Sequence, residues 1–98
     1  MSLKPLGVVR EIVESAGMGI SYAFEDLVFL EHNAFLLQFT ADDKEIFVHT
    51  NGEADEMEIK EPIAKLKIIG LTHGLTFTVA GQYRLSQVDD ENIRIEFI

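Results

Sequence analysis

Three histidines, His32, His49 and His73, are the first side chains in this sequence that could hold a metal or move a proton. Metal binding needs ligands that converge, usually a local pair two apart on a strand or four apart on a helix. No two of these histidines are close in sequence, and no cysteine is present to supply a thiolate. The expectation is no metal site and no cofactor. His32 and His73 precede Asn33 and Gly74 in expected turns, and His49 shares the Phe47 side of a strand as a core-edge histidine. The missing cysteine also excludes disulfides and thiol catalysis.

Carboxylates are abundant but lack a catalytic or calcium-binding pattern. A calcium loop needs alternating oxygen ligands, a glycine and a closing glutamate. Asp42-Asp43 and Asp89-Asp90-Glu91-Asn92 lack that spacing and read as turn formers. Glu53, Asp55, Glu56, Glu58 and Glu61 read as a solvated face, with attraction of a basic partner as the alternative. Ser2, Ser15, Ser21 and Ser86 all lie outside any Gly-x-Ser-x-Gly elbow. Gly17-Met18-Gly19 follows an expected helix, whereas a phosphate cradle precedes one. No catalytic residue is assigned, and a non-enzymatic role is expected.

The net charge of −9, from 17 acids against 8 bases, disfavours phosphate backbones and anionic lipid surfaces. The one cluster of bases, Lys60, Lys65 and Lys67, is diluted by Glu58 and Glu61. Neither nucleic acid nor membrane is therefore an expected partner. Arg10, Glu11 and Glu14 interrupt what would be the apolar part of a signal peptide. Apolar stretches such as 34–37 are too short to span a bilayer. Together with the lack of cysteine, these features point to the cytoplasm.

The elements that must position these residues follow from hydrophobic spacing. Val9, Ile12, Val13 and Ala16 form one apolar stripe, which predicts a helix over 4–16 with Gly17 as its stop. Residues 18–26 alternate only weakly. Strands are expected over Leu27–Glu31 and Ala34–Thr40, joined by a tight His32-Asn33 link, and over Glu45–Thr50. Pro62 suggests a short helix over 62–69, although 65–72 also alternates as a strand. In the last third, Leu75–Val79, Gln82–Val88 and Ile93 to the end read as half-buried antiparallel strands, with Ala80-Gly81 and 89–92 as turns. The expected fold is one α+β domain over 1–98. It comprises an N-terminal helix, an antiparallel three-stranded meander, a short second helix and a second three-stranded meander (α-β3-α-β3). Residues 27–50 can be laid over 75–98 without a gap, placing Asn33 on Gly81, as two meanders of one binary pattern would require.

This element order and the acidity resemble the small acidic chaperones of type III secretion over residues 4–88. The resemblance implies a homodimer that binds a client segment. The helix that usually ends those proteins is missing, since this chain is expected to end in a strand.

One asymmetry carries the functional expectation. The outward face of the second meander is polar, with Thr76, Thr78, Arg84, Ser86, Arg94 and Glu96. In the first meander, if Leu27, Phe29, Phe35, Leu37, Phe39 and Phe47 face the core, then Val28, Leu30, Leu36, Ile46 and Val48 face the other way. Each large aliphatic left exposed forfeits roughly 1.5–3 kcal/mol of burial. The helices, a second copy of the chain, or a client or apolar ligand must cover such a patch. Val28, Leu30, Leu36, Ile46 and Val48 are the expected interface. The expected function is a small acidic interaction or adaptor domain that binds another polypeptide as a homodimer. A small apolar-ligand carrier or sensor, with a pocket between sheet and helix, is the alternative.

Overall fold

The computed structural model describes residues 6–32, 34–90 and 93–97. Helix α1 (Leu6–Ser15) forms where the apolar stripe predicts, with Val9, Ile12 and Val13 buried. It stops before Gly17, whose φ of +87° few other residues adopt. Residues 4 and 5 of the expected helix lie outside the described residues.

Four antiparallel strands follow: β1 (Ile20–Phe24), β2 (Leu27–Leu30), β3 (Phe35–Phe39) and β4 (Glu45–Asn51). Helix α2 (Glu56–Thr72) then crosses over the sheet to β5 (Thr76–Gln87), which pairs in parallel with β4, and β6 (Ile93–Phe97) returns antiparallel to β5. All six strands form one sheet in sequence order. The order is therefore α-β4-α-β2 in a single curled, mixed sheet, and the expected pair of separate antiparallel meanders is corrected.

Three local causes account for the difference. The weak alternation at 20–24 is a genuine strand, with Ser21 as an extra residue between the Ile20–Leu30 and Tyr22–Phe29 pairs. The acidic stretch is largely the start of α2, not a loop before a helix at 62–69. Asp55 caps α2 by accepting the Met57 N–H at 3.0 Å, and Glu56 and Glu58 lie at the positive end of the helix. Finally, Ala80-Gly81 is not a hairpin turn. Strand β5 runs straight through it, and Ala80 is a bulge between the Val48–Val79 and His49–Gly81 pairs. This also removes the gapless overlay, because Gly81 lies within a strand whereas the 31–34 link joins two.

A helix between β4 and β5 dictates their parallel pairing, since only a crossover of that length can return the chain to the same end of the sheet. The crossover closes at Gly70, whose carbonyl accepts the His73 and Leu75 N–H groups at 3.0 and 2.8 Å. Gly74, at φ +78°, turns the chain into β5.

Both helices cover one face of the sheet. Val9, Ile12 and Val13 of α1 and Ile63 and Leu66 of α2 join Val28, Leu30, Phe35, Leu37, Ile46, Val48 and Phe77 in one core. Among the described residues, the opposite face carries no helix, and it curls inward. Ser21 and Tyr22 of β1 line the same cavity of about 130 Å³ as Tyr83 and Leu85 of β5, although three strands separate β1 from β5.

Candidate functional site

Cross-strand register decides what the helix-free face presents, because side chains alternate strictly along each strand. Val28 pairs with Leu37, and Leu37 with Val48, so these three share the helix-covered side. Leu27 pairs with Gln38, Gln38 with Phe47, and Leu36 with His49, so these share the open side. Of the five residues expected at an interface, Val28, Leu30, Ile46 and Val48 lie in the core beneath the helices. Leu36 alone belongs to the open face, where it is nonetheless buried. The grouping of Phe35, Leu37 and Phe39 with Leu27, Phe29 and Phe47 on one side is likewise corrected. The first three face the helices, and the last three face outward.

The open face is apolar almost throughout. Tyr22 stacks on Phe29 at 4.7 Å with the rings 9° apart. At the other end of the sheet, the His49 ring meets Phe97 at 4.7 Å and Phe47 edge-on at 6.5 Å. Leu36 and Tyr83 are buried between these ends, and Leu85 and Ile95 continue the face onto β5 and β6. Tyr22, Phe24 and Phe97 are exposed at 56, 59 and 50%. Glu45, from which Thr78 is 3.3 Å away, is the carboxylate on the strand positions of this face. Among the described residues, no lysine or arginine occupies them: Arg84 and Arg94 lie on the other side, where Arg84 reaches Glu96 at 3.1 Å.

One polar string crosses this apolar surface. Gln38 donates its amide to Asp26 at 2.9 Å, and its carbonyl oxygen lies 2.7 Å from His49 Nε2. With the amide so oriented, His49 must donate from Nε2, which leaves Nδ1 as the acceptor in the neutral ring. Burial pushes the His49 pKa below the ordinary 6.5, with the Asp26 charge partly opposing it. Burial alone raises the Tyr83 pKa above its ordinary value.

The other two histidines serve the loops. His32 accepts the Ala34 N–H on Nδ1 at 3.3 Å, so its Nε2 proton points to the Met18 sulfur at 3.1 Å. Burial lowers its pKa. His73 donates from Nδ1 to the Ile69 carbonyl at 3.1 Å and holds Nε2 3.9 Å from Glu11. Thr72, the hydroxyl beside His73, donates to the Ile69 carbonyl at 2.7 Å rather than to the imidazole, so no nucleophile–base relay forms there. Among the described residues, no group of three histidine or carboxylate side chains converges on a possible metal position.

Depressions also lie elsewhere, and two of them bear on ligand binding. One, of about 820 Å³ between the end of α1 and β1–β2, is lined by Arg10, Glu14 and Glu31 along with Met18 and His32. The other, about 400 Å³, runs between α2 and the sheet beside Ile59, Ile63, Lys60, Lys67 and Val79. Among the described residues, no helix is long and apolar enough to cross a membrane.

Most of the open face was absent from the expected site, yet its signal was present. The two-residue turn expected from the sequence at His32-Asn33 would set 28 against 37, and the observed Val28–Leu37 and Leu27–Gln38 pairs put odd positions of β2 beside even positions of β3. Comparison with known proteins gives no match to any family model, curated protein or solved structure.

Proposed function

We propose that this protein is a non-catalytic polypeptide-binding domain of the cytoplasm, and that the helix-free face of its sheet receives an apolar segment flanked by basic residues. The observation that carries this reading is the composition of that face. Aromatic side chains half exposed at both ends enclose a buried Leu36–Tyr83 centre, and the charged groups at its margin, Asp26 and Glu45, are carboxylates. An apolar patch of this kind, rimmed by polar groups, marks an interaction surface in soluble proteins. Exposed aromatic rings are the usual anchors of such surfaces. The net charge of −9 and the absence of lysine or arginine from the described face select a cationic partner. The enclosed cavity of about 130 Å³ is too small for a typical ligand, which needs roughly 300–1,000 Å³.

Fluorescence anisotropy with labelled peptides tests the proposal. An extended Leu/Phe peptide with lysine flanks should bind, and the same peptide with glutamate flanks should bind at least about tenfold more weakly at low salt. Replacing the exposed rings, Tyr22→Ser with Phe97→Ser, should abolish binding without unfolding the protein. Equal affinity for both peptides, or binding that survives the double substitution, would refute it.

A second reading rests on the groove beside α2. Its volume of about 400 Å³, apolar lining and two lysines suit a small amphiphilic carboxylate. Binding of a fatty acid that is lost in Lys60→Glu/Lys67→Glu, with peptide binding unchanged, would favour it.

A further inference from the structure

The two edges of the sheet are not alike. Strand β6, at one edge, carries Arg94 and Glu96. Strand β1, at the other, reads Ile-Ser-Tyr-Ala-Phe, with no charge and no proline, and residues 21–24 are exposed. Charges and prolines are the usual devices that keep a free edge from pairing with another chain, and β1 lacks both. Its one irregularity is the bulge at Ser21, which leaves residues 22–24 in regular pairing with 27–29. Helix α2 also leaves Met57, Ile68 and Leu71 exposed on its outer side, but a helix satisfies its own backbone, so these offer side chains alone.

Hydrogen-bond phase shows what the β1 edge offers. The Phe39 N–H donates to the Asp26 carbonyl, so Asp26 and, two residues on, Val28 turn their backbone groups toward β3. Leu27 and Phe29 therefore turn theirs toward β1, where they meet Phe24 and Tyr22. Ala23, between those two, points its N–H and C=O away from β2, and neither has a partner among the described residues. A free donor and acceptor on an extended, exposed strand are complementary to one kind of occupant, another extended backbone.

The surroundings select that occupant's side chains and charge. Side chains alternate along a strand laid beside β1. The neighbours of the residue opposite Ala23 therefore fall on the open side, against Tyr22 and Phe24, and favour apolar groups. Both ends of β1 are acidic. Glu25 and Asp26 follow it in the turn to β2. At its start the Glu31 carboxylate lies over Gly19, 2.7 Å from where a Cβ would stand, and Glu14 lines the same depression, against the single cation Arg10. About 17 Å of uncharged strand separates these ends. A second copy of β1 would bring acidic ends to acidic ends, whereas a cationic segment meets attraction at both.

We infer that the polypeptide is held by strand addition. A segment of about five apolar residues with lysine or arginine at each end pairs with β1 as a seventh strand, its backbone bonded to Ala23. This rests on the peptide-binding reading above and adds the conformation of the partner and the groups that hold it. Because the sheet curls until β1 and β5 line one cavity, the added strand lies along the margin of the open face.

The test uses the lysine-flanked Leu/Phe peptide with a five-residue core, in fluorescence anisotropy and in amide exchange of the ¹⁵N-labelled protein. N-methylation of one alternating set of core residues, whose N–H groups face β1, should weaken binding by about tenfold or more. The other set should bind within about threefold of the unmodified peptide. Saturating peptide should slow exchange of the Ala23 amide by about tenfold or more. Ala23→Pro removes only the outward N–H, a change an edge strand tolerates, and should weaken binding to a similar degree. Circular dichroism checks its fold, and the peptide series on wild-type protein decides the matter if that variant unfolds. Two methylated sets that bind alike, or an Ala23 amide that exchanges as fast with peptide bound, would overturn strand addition and leave the open-face reading standing. Protection of Ala23 that rises with protein concentration in the absence of peptide would assign the edge to a second copy and overturn it too. An unmodified peptide that does not bind would refute the peptide-binding reading itself, and this inference with it.

Discussion

Gly70→Ala offers a sharp test of how α2 sits on β5, because two effects of opposite sign compete at one atom. In an exposed helix, alanine in place of glycine gains about 1 kcal/mol through reduced backbone entropy in the unfolded chain. Gly70 is buried, however, and an added Cβ would lie 2.7 Å from Cδ2 and Cε2 of Phe77 and 2.9 Å from the Leu75 carbonyl oxygen. No real Cβ tolerates these approaches, so something must move. Phe77 is itself a core side chain at 3% exposure, and the Leu75 oxygen belongs to the backbone that Gly70 holds through its own carbonyl. Overpacking of this kind costs about 1–3 kcal/mol, and a displaced helix end adds to it. We expect a net loss of about 1–2 kcal/mol, or a fall in Tm of roughly 4–16 °C for a domain of this size. Urea denaturation followed by far-UV circular dichroism reads the loss, and an unchanged m-value would show that the two-state reference is intact. Gly7→Ala is the control, since Gly7 lies in α1 with nothing within 4 Å of the added atom. It should leave stability unchanged or raise it by up to about 1 kcal/mol. A Gly70→Ala protein as stable as wild type would refute the close approach of α2 to β5.

Three further outcomes are expected. Val48→Asp, which places an unpaired charge in the core at 0% exposure, should cost about 3 kcal/mol or more and leave the protein largely unfolded by circular dichroism. Asp55→Ala removes the acceptor of the Met57 N–H and should lower stability by about 1 kcal/mol in urea titration. Burial lowers the folded-state pKa of both His32 and His49 from 6.5, so the unfolded chain binds protons first on acidification. This contribution is neutral above pH 6.5 and becomes destabilising as pH falls below it, and His32→Gln/His49→Gln should flatten that part of a Tm-versus-pH curve.

The elements were more legible than their connection. The α1 stripe and the β2–β3 and β3–β4 hairpins follow from local spacing, as does the final strand, along which apolar and charged residues alternate. Strand β3 was harder to orient. Phe35, Leu36 and Leu37 are all buried, so its alternation does not reveal which side meets the helices. The phase is set instead by its pairing with β2, Leu27 with Gln38 and Val28 with Leu37. Helix α2 hid its length for a related reason. Apolar residues on two sides blur the helical period, and the acidic start reads as solvated loop until Asp55 is recognised as a cap and Glu58 as the third helical residue. The parallel β4–β5 pairing depends on that helix, so it was lost with it. Ala80-Gly81 has the composition of a turn. Only the ladder to β4 on one side keeps it extended, a long-range constraint that no local window contains. The open face inherits all three problems, since its residues come from all six strands, whose order and phase must both be known.

The most direct test of the polypeptide-binding account is residue-resolved amide shift mapping of the ¹⁵N-labelled protein during titration with the lysine-flanked apolar peptide. The account predicts saturable shifts confined to the helix-free face, around Tyr22, Phe29, Leu36, His49, Leu85 and Phe97, with the outer residues of α2 unmoved. Shifts centred on Ile68 and Leu71, or no shifts up to millimolar peptide, would contradict it.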